Sequence, residues 1–330
     1  MPILTLAEAQ TLVTAALVRA DTGEPNARAV ARALVAAEAD GLKGHGLSRV
    51  PSYAAQARAG KVDGHAVPTL ARPKPALLLA DAAHGFAYPA IDAVVAALPE
   101  IARSEGVAVA AVRRSHHCGA AGHPVERLGE AGLVALLFAN TPSAIAPQGG
   151  RRAVFGTNPI AFACPLPGRP PIVVDLALSV VARGNIIAAK QRGEPIPEGW
   201  ALDAEGRPTT DPAEALKGTM VPLGGAKGTA LALMVELLAA GLTGATYAAD
   251  ASSFMDAEGG PPGTGQLILA LDPVAIGGPG ALDHFATLAG QIEDQDGARL
   301  PGARRLESRA RAARDGLPVA DALLAEIARA

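Results

Sequence analysis

Apolar side chains recur along this chain with two different periods. Ala9, Leu12, Val13, Ala16 and Leu17 stand one to four positions apart on one helical face, and Thr5 with Glu8 before them makes a capping box, so a first helix is expected there. Ala27, Val30, Ala31, Leu34 and Val35 repeat the pattern after Pro25 and Asn26, predicting a second helix that ends near Asp40 with Gly41 as its stop. Elsewhere the apolar residues form short unbroken runs, at 76–82, 107–112, 133–140, 160–164, 172–175 and 266–271, which read as buried strands. Helices are expected at 89–104, 125–130, 180–191, 281–294 and 319–328, with another opened by the Gly-rich turn at 223–228 and running to Gly241. Strands mixed with helices, and no internal repeat, predict an α/β (α+β) fold.

Candidate chemistry gathers where these elements end. The run at 107–112 leads into Arg113, Arg114, Ser115, His116, His117 and Cys118, then Gly119, Ala120, Ala121 and Gly122, small residues that let a ligand approach the backbone. In a second stretch Gly44 and Gly46 flank His45, and a helix starting around Ser48 and Pro51 would put Arg49 and Tyr53, four apart, on one face. An imidazole, a guanidinium and a phenol then converge, and the planar guanidinium fork matches a carboxylate in bidentate fashion. Each also has a plain structural reading: a polar strand end for the paired histidines, a surface ion pair for Arg49, a core-edge aromatic for Tyr53.

The turn Phe155-Gly-Thr-Asn-Pro159 would aim the Thr157 hydroxyl and the Asn158 amide inward, and Asp175 either caps a helix before Ser179 or serves the site. Residues 192–218, with the only tryptophan, Trp200, are too long for an idle connection and are expected to form an ordered cover. Lys227, beside glycines at a helix start, suits a phosphate; Arg304 and Arg305 suit a 2′-phosphate clamp or form a solvated basic face. Neither a P-loop nor a GxGxxG fingerprint after a strand occurs, so a Rossmann domain is unsupported.

Composition narrows the function classes. With 330 residues, 49% hydrophobic and 18% charged, the chain is folded and large enough for two or three subdomains. A formal charge of −3 and 3% aromatics leave little to attract or stack a nucleic acid. The N-terminus lacks a signal-peptide pattern and the most apolar window, 229–249, contains Glu236, so a cytoplasmic protein with a buried core helix there, and no membrane span, is expected. Two distant cysteines, Cys118 and Cys164, form no disulfide framework.

Six stretches together resemble the malate and lactate dehydrogenase type 2 family: His45-Gly-Leu-Ser-Arg49, Ser115-His-His117, Phe155 to Pro159, Val181-Ala-Arg-Gly184, Arg192 to Trp200, and Leu223 to Gly228. They span nearly the whole chain in the family's order. Within that family the first two stretches look most like the branch that reduces Δ1-pyrroline-2-carboxylate and Δ1-piperideine-2-carboxylate; other members act on malate, lactate or sulfolactate. The resemblance implies a non-Rossmann cofactor domain with a largely antiparallel sheet, a helical domain from both chain ends, and a homodimer with its site near the subunit interface. Boundaries of 1–75 with 281–330, 76–125 with 220–280, and 126–219 as the cofactor-binding part follow.

It also implies residue roles. His45 would be the acid or base, with His117 the runner-up; Arg49 would anchor the substrate carboxylate, with Tyr53, Thr157 and Arg183 as further substrate contacts. NADPH, or NADH, would be held by His117, Cys118, Gly119, Ala120, Ala121, Asp175, Leu176, Ala177, Lys227, Gly302, Arg304 and Arg305. Two positions depart from the family pattern: Gly44 stands where many relatives have a serine, and Asn185 where a lysine is usual. Two rival readings are a metal hydrolase using His116, His117, Cys118 and His123, which no HExxH or CxxC pattern supports, and a cofactor-binding protein without catalysis, for which Gly44 argues.

Overall fold

The computed structural model describes residues 1–330. After a two-residue strand β1 (Ile3–Leu4), α1 (Leu6–Arg19) starts from the expected capping box: Glu8 N donates to Thr5 Oγ1 at 3.2 Å and Thr5 N to Glu8 Oε2 at 2.8 Å. α2 (Glu24–Ala39) and α3 (Val50–Arg58) follow, the latter entered through two single 3₁₀ turns over Lys43–His45 and Leu47–Arg49. The sheet then begins: β2 (Thr69–Lys74), β3 (Leu77–Asp81), α4 (Ala87–Glu105), β4 (Val107–Ser115), α5 (Gly122–Glu130), β5 (Val134–Ala139), β6 (Ile160–Leu166) and β7 (Arg169–Leu176).

Residues 192–218 are ordered, as expected of a cover. They follow α6 (Arg183–Arg192) and carry β8 (Ala201–Leu202), β9 (Pro208–Thr209) and α7 (Pro212–Lys217), with β10 (Thr219–Met220) completing a small three-stranded sheet. The chain returns through α8 (Ala226–Glu236), β11 (Thr264–Leu271), α9 (Pro273–Gly277) and α10 (Ala281–Glu293), and finishes with α11 (Ala303–Asp315), β12 (Leu317–Pro318) and α12 (Asp321–Arg329).

The main sheet has the order β2-β3-β4-β11-β5-β6-β7, and only β3 and β4 run parallel, so the fold is mixed α/β with a largely antiparallel sheet. Helices α4 and α5 bury Ile91, Leu98, Val125 and Leu128 on one face against Ala110, Val112 and Leu137. On the opposite face Ala232, Val235 and Ala239 of the α8 region meet Ala111, Phe138 and Leu267. A separate helical core joins residues 9–88 to residues 312–330, with β1 paired to β12.

Two expectations need correction. The site strand does not stop at Val112: β4 runs on to Ser115, because Arg113 and Arg114 pair with Asp81 at 3.4 and 2.8 Å and Ser115 pairs with Thr264 beyond a one-residue bulge. The apolar helix is not a buried core helix. It ends at Glu236 in one wider turn, and its outer side exposes Leu233, Leu237 and Leu242, since an all-round apolar composition does not reveal which side a sheet will cover.

A charged cluster ties the helical layer to the sheet layer. Asp40 at the end of α2 and Glu126 on α5, both buried, share Arg309 of α11, which reaches Asp40 at 2.7 Å and Glu126 at 2.8 Å; Arg305 adds Glu126 at 2.8 Å, and His123 adds Asp40 at 2.9 Å. Removing one partner of a buried pair strands the other charge, so Arg309→Met should lower unfolding stability by about 3 kcal/mol in urea titration. A loss under about 1 kcal/mol would mean that Arg305 alone compensates both carboxylates.

Candidate active site

The loop before α3 is shaped by a buried carboxylate. Glu38 accepts a hydrogen bond from Leu47 N at 2.9 Å and pairs with Lys43, and a Cβ at Gly46 would lie 2.1 Å from Glu38 Oε2. Only glycine fits there, and the turn it permits joins the 3₁₀ turn that ends at His45 to the one that ends at Arg49. Arg49 Nε donates to Gly44 O at 2.6 Å and Nη1 lies 3.0 Å from Met255 Sδ, which leaves further guanidinium donors for an anion.

Arg49, Tyr53 and Gln56 follow at helical spacing along α3, and each meets the site differently. Tyr53, expected to touch substrate, is instead fully buried beside Phe86; its hydroxyl lies 2.6 Å from His117 Nδ1 and 3.2 Å from the Tyr88 hydroxyl. The spacing placed it correctly on the Arg49 face, but the aromatic packing below covers it. Gln56 Oε1 lies 2.7 Å from His116 Nε2, and Gln56 Nε2 donates to Phe254 O at 3.0 Å.

The rings of His45 and His117 stack with centroids 5.2 Å apart and planes 21° from parallel. Phe254 packs against His116 and His117 at 5.0 and 5.1 Å. Burial, reinforced by the nearby Arg49 charge, lowers all three imidazoles: His45 to about 4, His116 to about 3, and His117 well below its usual value. All three are neutral at neutral pH. Burial also pushes the Cys118 thiol up to about 12, so it is no nucleophile, and the potential metal set does not assemble because His123 turns to Asp40.

A second group of the expected residues lies at the start of α5 and α11. Gly122 N donates to Asp175 Oδ2 at 2.7 Å, and a Cβ on Gly122 would lie 3.1 Å from Asp175 and 3.2 Å from Arg305. Gly302, with φ 90°, precedes α11 and approaches Val173 O. Burial of its carboxyl raises the Asp175 pKa; through its bond to Gly122 N, Asp175 anchors the start of α5 and caps no helix before Ser179. Arg305 is held in the charged cluster, while Arg304 is exposed. They do not form a pair of free arginines.

Thr157, Leu176, Ala177, Arg183 and Lys227 belong to a third patch. Leu178 N donates to Thr157 O and Leu223 N to Leu178 O, both at 2.8 Å, which brings the Gly224-Gly225 turn and Lys227 beside the end of β7. The Thr157 hydroxyl lies 3.3 Å from that of Thr141; Asn158 instead turns its amide into the core, toward Glu236 Oε2 at 2.8 Å. Arg183 opens α6 and reaches only Ser143 O, at 3.5 Å, without a carboxylate partner.

Phe254, Met255, Gln56, Tyr88 and Lys61 were not singled out by sequence. Lys61, buried, donates to Asp256 O at 3.1 Å and Glu258 O at 2.5 Å, and so holds the loop that carries Phe254 and Met255. Only Gln56 carried a readable signal, its seven-residue spacing from Arg49. The others meet the site through contacts remote in sequence.

These residues fit a nicotinamide dinucleotide. α8 and α11 begin without a side-chain cap, so backbone N–H groups are left for an anion, and a Cβ built at Gly224 or Gly225 would meet nothing within 4 Å, so the approach to α8 is open.

A profile of the malate/L-lactate dehydrogenase family matches residues 4–328. Among curated proteins, the (2R)-3-sulfolactate dehydrogenase (NADP(+)) of Chromohalobacter salexigens is 53% identical over 305 residues, 92% of this chain and 90% of that one. The Δ1-pyrroline-2-carboxylate/Δ1-piperideine-2-carboxylate reductase of Pseudomonas aeruginosa is 45% identical over 327 residues, 98% of each chain. Among solved structures, Δ1-piperideine-2-carboxylate reductase from Pseudomonas syringae superposes with a TM-score of 0.91 at 38% identity, over 100% of this chain and 99% of that one. The chain belongs to the malate/L-lactate dehydrogenase family and is an NAD(P)-dependent oxidoreductase.

Proposed function

We propose that this enzyme reduces the C=N bond of a cyclic imino acid, Δ1-pyrroline-2-carboxylate or Δ1-piperideine-2-carboxylate, to the cyclic amino acid, with NADPH as cofactor. The observation that carries this reading is Arg49, a half-buried guanidinium with spare donors beside the stacked His45 and His117 and the apolar side chains of Phe254 and Met255. Arg49 holds the carboxylate by its fork, the apolar wall suits ring methylenes, and His45 delivers the proton to the ring nitrogen. Bound NADPH supplies the hydride for C2. The stretch 117–121, Asp175 to Ala177, Lys227, Gly302 and Arg305 would hold it, and exposed Arg304 is the proposed contact for a 2′-phosphate.

A second reading has a specific observation behind it: the 53% identical relative named as a sulfolactate dehydrogenase supports an open-chain 2-oxo acid bearing a second anionic group. Such a substrate needs a second cation. Lys61 bears on His116 but spends its donors on Asp256 and Glu258, so among the cations acting on the three histidines Arg49 has the spare ones. We also propose a cytoplasmic homodimer that covers Leu233, Leu237 and Leu242, and a cofactor part of non-Rossmann type.

Consumption of NADPH and NADH with Δ1-pyrroline-2-carboxylate, Δ1-piperideine-2-carboxylate, oxaloacetate and sulfopyruvate, each offered alone, tests the assignment. Turnover confined to the cyclic imines supports it, and turnover confined to the dianionic oxo acids replaces it by the second reading. His45→Ala should cut kcat by about 10²–10⁴-fold while cofactor affinity by fluorescence titration is unchanged. Arg49→Lys loses the bidentate fork and should raise KM at least about tenfold. Reduction needs protonated His45, whereas the free enzyme holds it neutral above about pH 4. Reductive kcat/KM should therefore fall as pH rises from about 5 to about 8, and the His45-linked part of the reverse rate should stay flat over the same pH–rate series.

A further inference from the structure

We propose that Tyr53 is a positioning residue that locks His117 in the Nε2–H tautomer, making His117 a fixed hydrogen-bond donor to the site and not its base. The direction of the hydrogen bonds decides this. Tyr88, Tyr53 and His117 form a buried chain, with 3.2 Å between the two hydroxyls and 2.6 Å from Tyr53 Oη to His117 Nδ1. If Tyr53 donates to His117 Nδ1, Tyr88 donates to Tyr53 and every proton in the chain has an acceptor. If His117 donates from Nδ1, Tyr53 must donate to Tyr88, and the Tyr88 hydroxyl proton is left buried with no acceptor in the chain. The first arrangement also pairs the stronger donor, a phenol, with the stronger acceptor, an imidazole nitrogen.

Gln56 does the same for the neighbouring histidine. Its amide nitrogen is committed to Phe254 O, so its oxygen faces His116 Nε2 and requires a proton there. His116 Nδ1 is enclosed without a partner. One helix, by residues three apart, thereby fixes both imidazoles after β4: His116 can neither give nor take a proton toward the site, and His117 presents an N–H. His117 Nε2 makes no hydrogen bond within the chain and is not among the enclosed unpartnered atoms, so that N–H is available to a ligand. Of the three clustered histidines, His45 is the one without a side-chain partner that dictates its tautomer. Proton transfer falls to it.

The test reads the tautomer directly. Full-length protein labelled with 15N-histidine is examined without cofactor or substrate by long-range 1H–15N correlation at neutral pH, with the His117 signals identified by their loss in His117→Gln. The expected wild-type pattern is a protonated Nε2 and a bare Nδ1; a protonated Nδ1 overturns the proposal. Tyr53→Phe should convert His117 to a mixture of tautomers and lower kcat roughly tenfold, the scale of one neutral hydrogen bond, with KM for the carboxylate substrate little changed. Tyr88→Phe, which keeps the Tyr53 hydroxyl, should leave the tautomer as in wild type. An unchanged His117 pattern in Tyr53→Phe also overturns the proposal, and if that variant does not fold the wild-type spectrum decides alone. The kinetic arm rests on the reading of His45 as the acid–base group; the spectrum does not, so failure of that reading and failure of the tautomer lock are told apart.

Discussion

Burying two histidines side by side at the end of β4 is the constraint that the site is built around. Each neutral imidazole carries one donor and one acceptor, and leaving either unmade in a dry interior costs roughly 1–3 kcal/mol. α3 answers one nitrogen of each ring with Tyr53 and Gln56, and the 252–258 loop supports this by offering Phe254 O to Gln56 and the Phe254 ring to both histidines. Buried Lys61 then fastens the loop through backbone oxygens. A helix, a strand end and a loop from three parts of the chain become one rigid unit because a few polar atoms cannot be left alone.

Rigidity on that scale needs its layers fixed to each other. The cluster of Asp40, Glu126, Arg305 and Arg309 joins the ends of α2, α5 and α11, and these are also the elements whose N-termini or ends border the second group of glycines at 122 and 302. Arg305 therefore has two demands on it. Its guanidinium serves both buried carboxylates, with Nη2 on Glu126 at 2.8 Å and Nε 3.5 Å from Asp40. Both demands come from the buried cluster, whereas Arg304 is exposed, a difference that adjacency in the sequence could not reveal.

Much of the architecture was legible because periodicity follows burial. The first two helices and the capping box, and six of the seven main strands, all came from local spacing. β2 was missed because all six of its residues are exposed, so an edge strand there leaves no apolar signature. The largely antiparallel sheet came from family resemblance, since runs of apolar residues do not encode strand direction. Tyr53 shows the limit on side chains: its helical face was right, yet whether a phenol faces ligand or core depends on Phe86 and Tyr88, thirty-odd positions away. Phe254 and Met255 lie in a loop without any periodic signal, and only the folded chain brings them to the histidines.

The electrostatics give the site a way to couple binding to proton transfer. Arg49 is among the causes that depress His45, after burial itself, and it also lowers His116 and His117. A carboxylate seated on Arg49 cancels much of that charge without exposing His45 to water. The Arg49 part of the depression would then shrink while the desolvation part remains, so the proton affinity of His45 would rise with an anionic substrate in place. A neutral competitor would leave Arg49 uncompensated and His45 unable to hold its proton at neutral pH. In the proposed reaction the same guanidinium would orient the substrate and, by being neutralised, ready the acid beside it; a lysine could carry the charge but not the planar fork, and an uncharged residue could do neither.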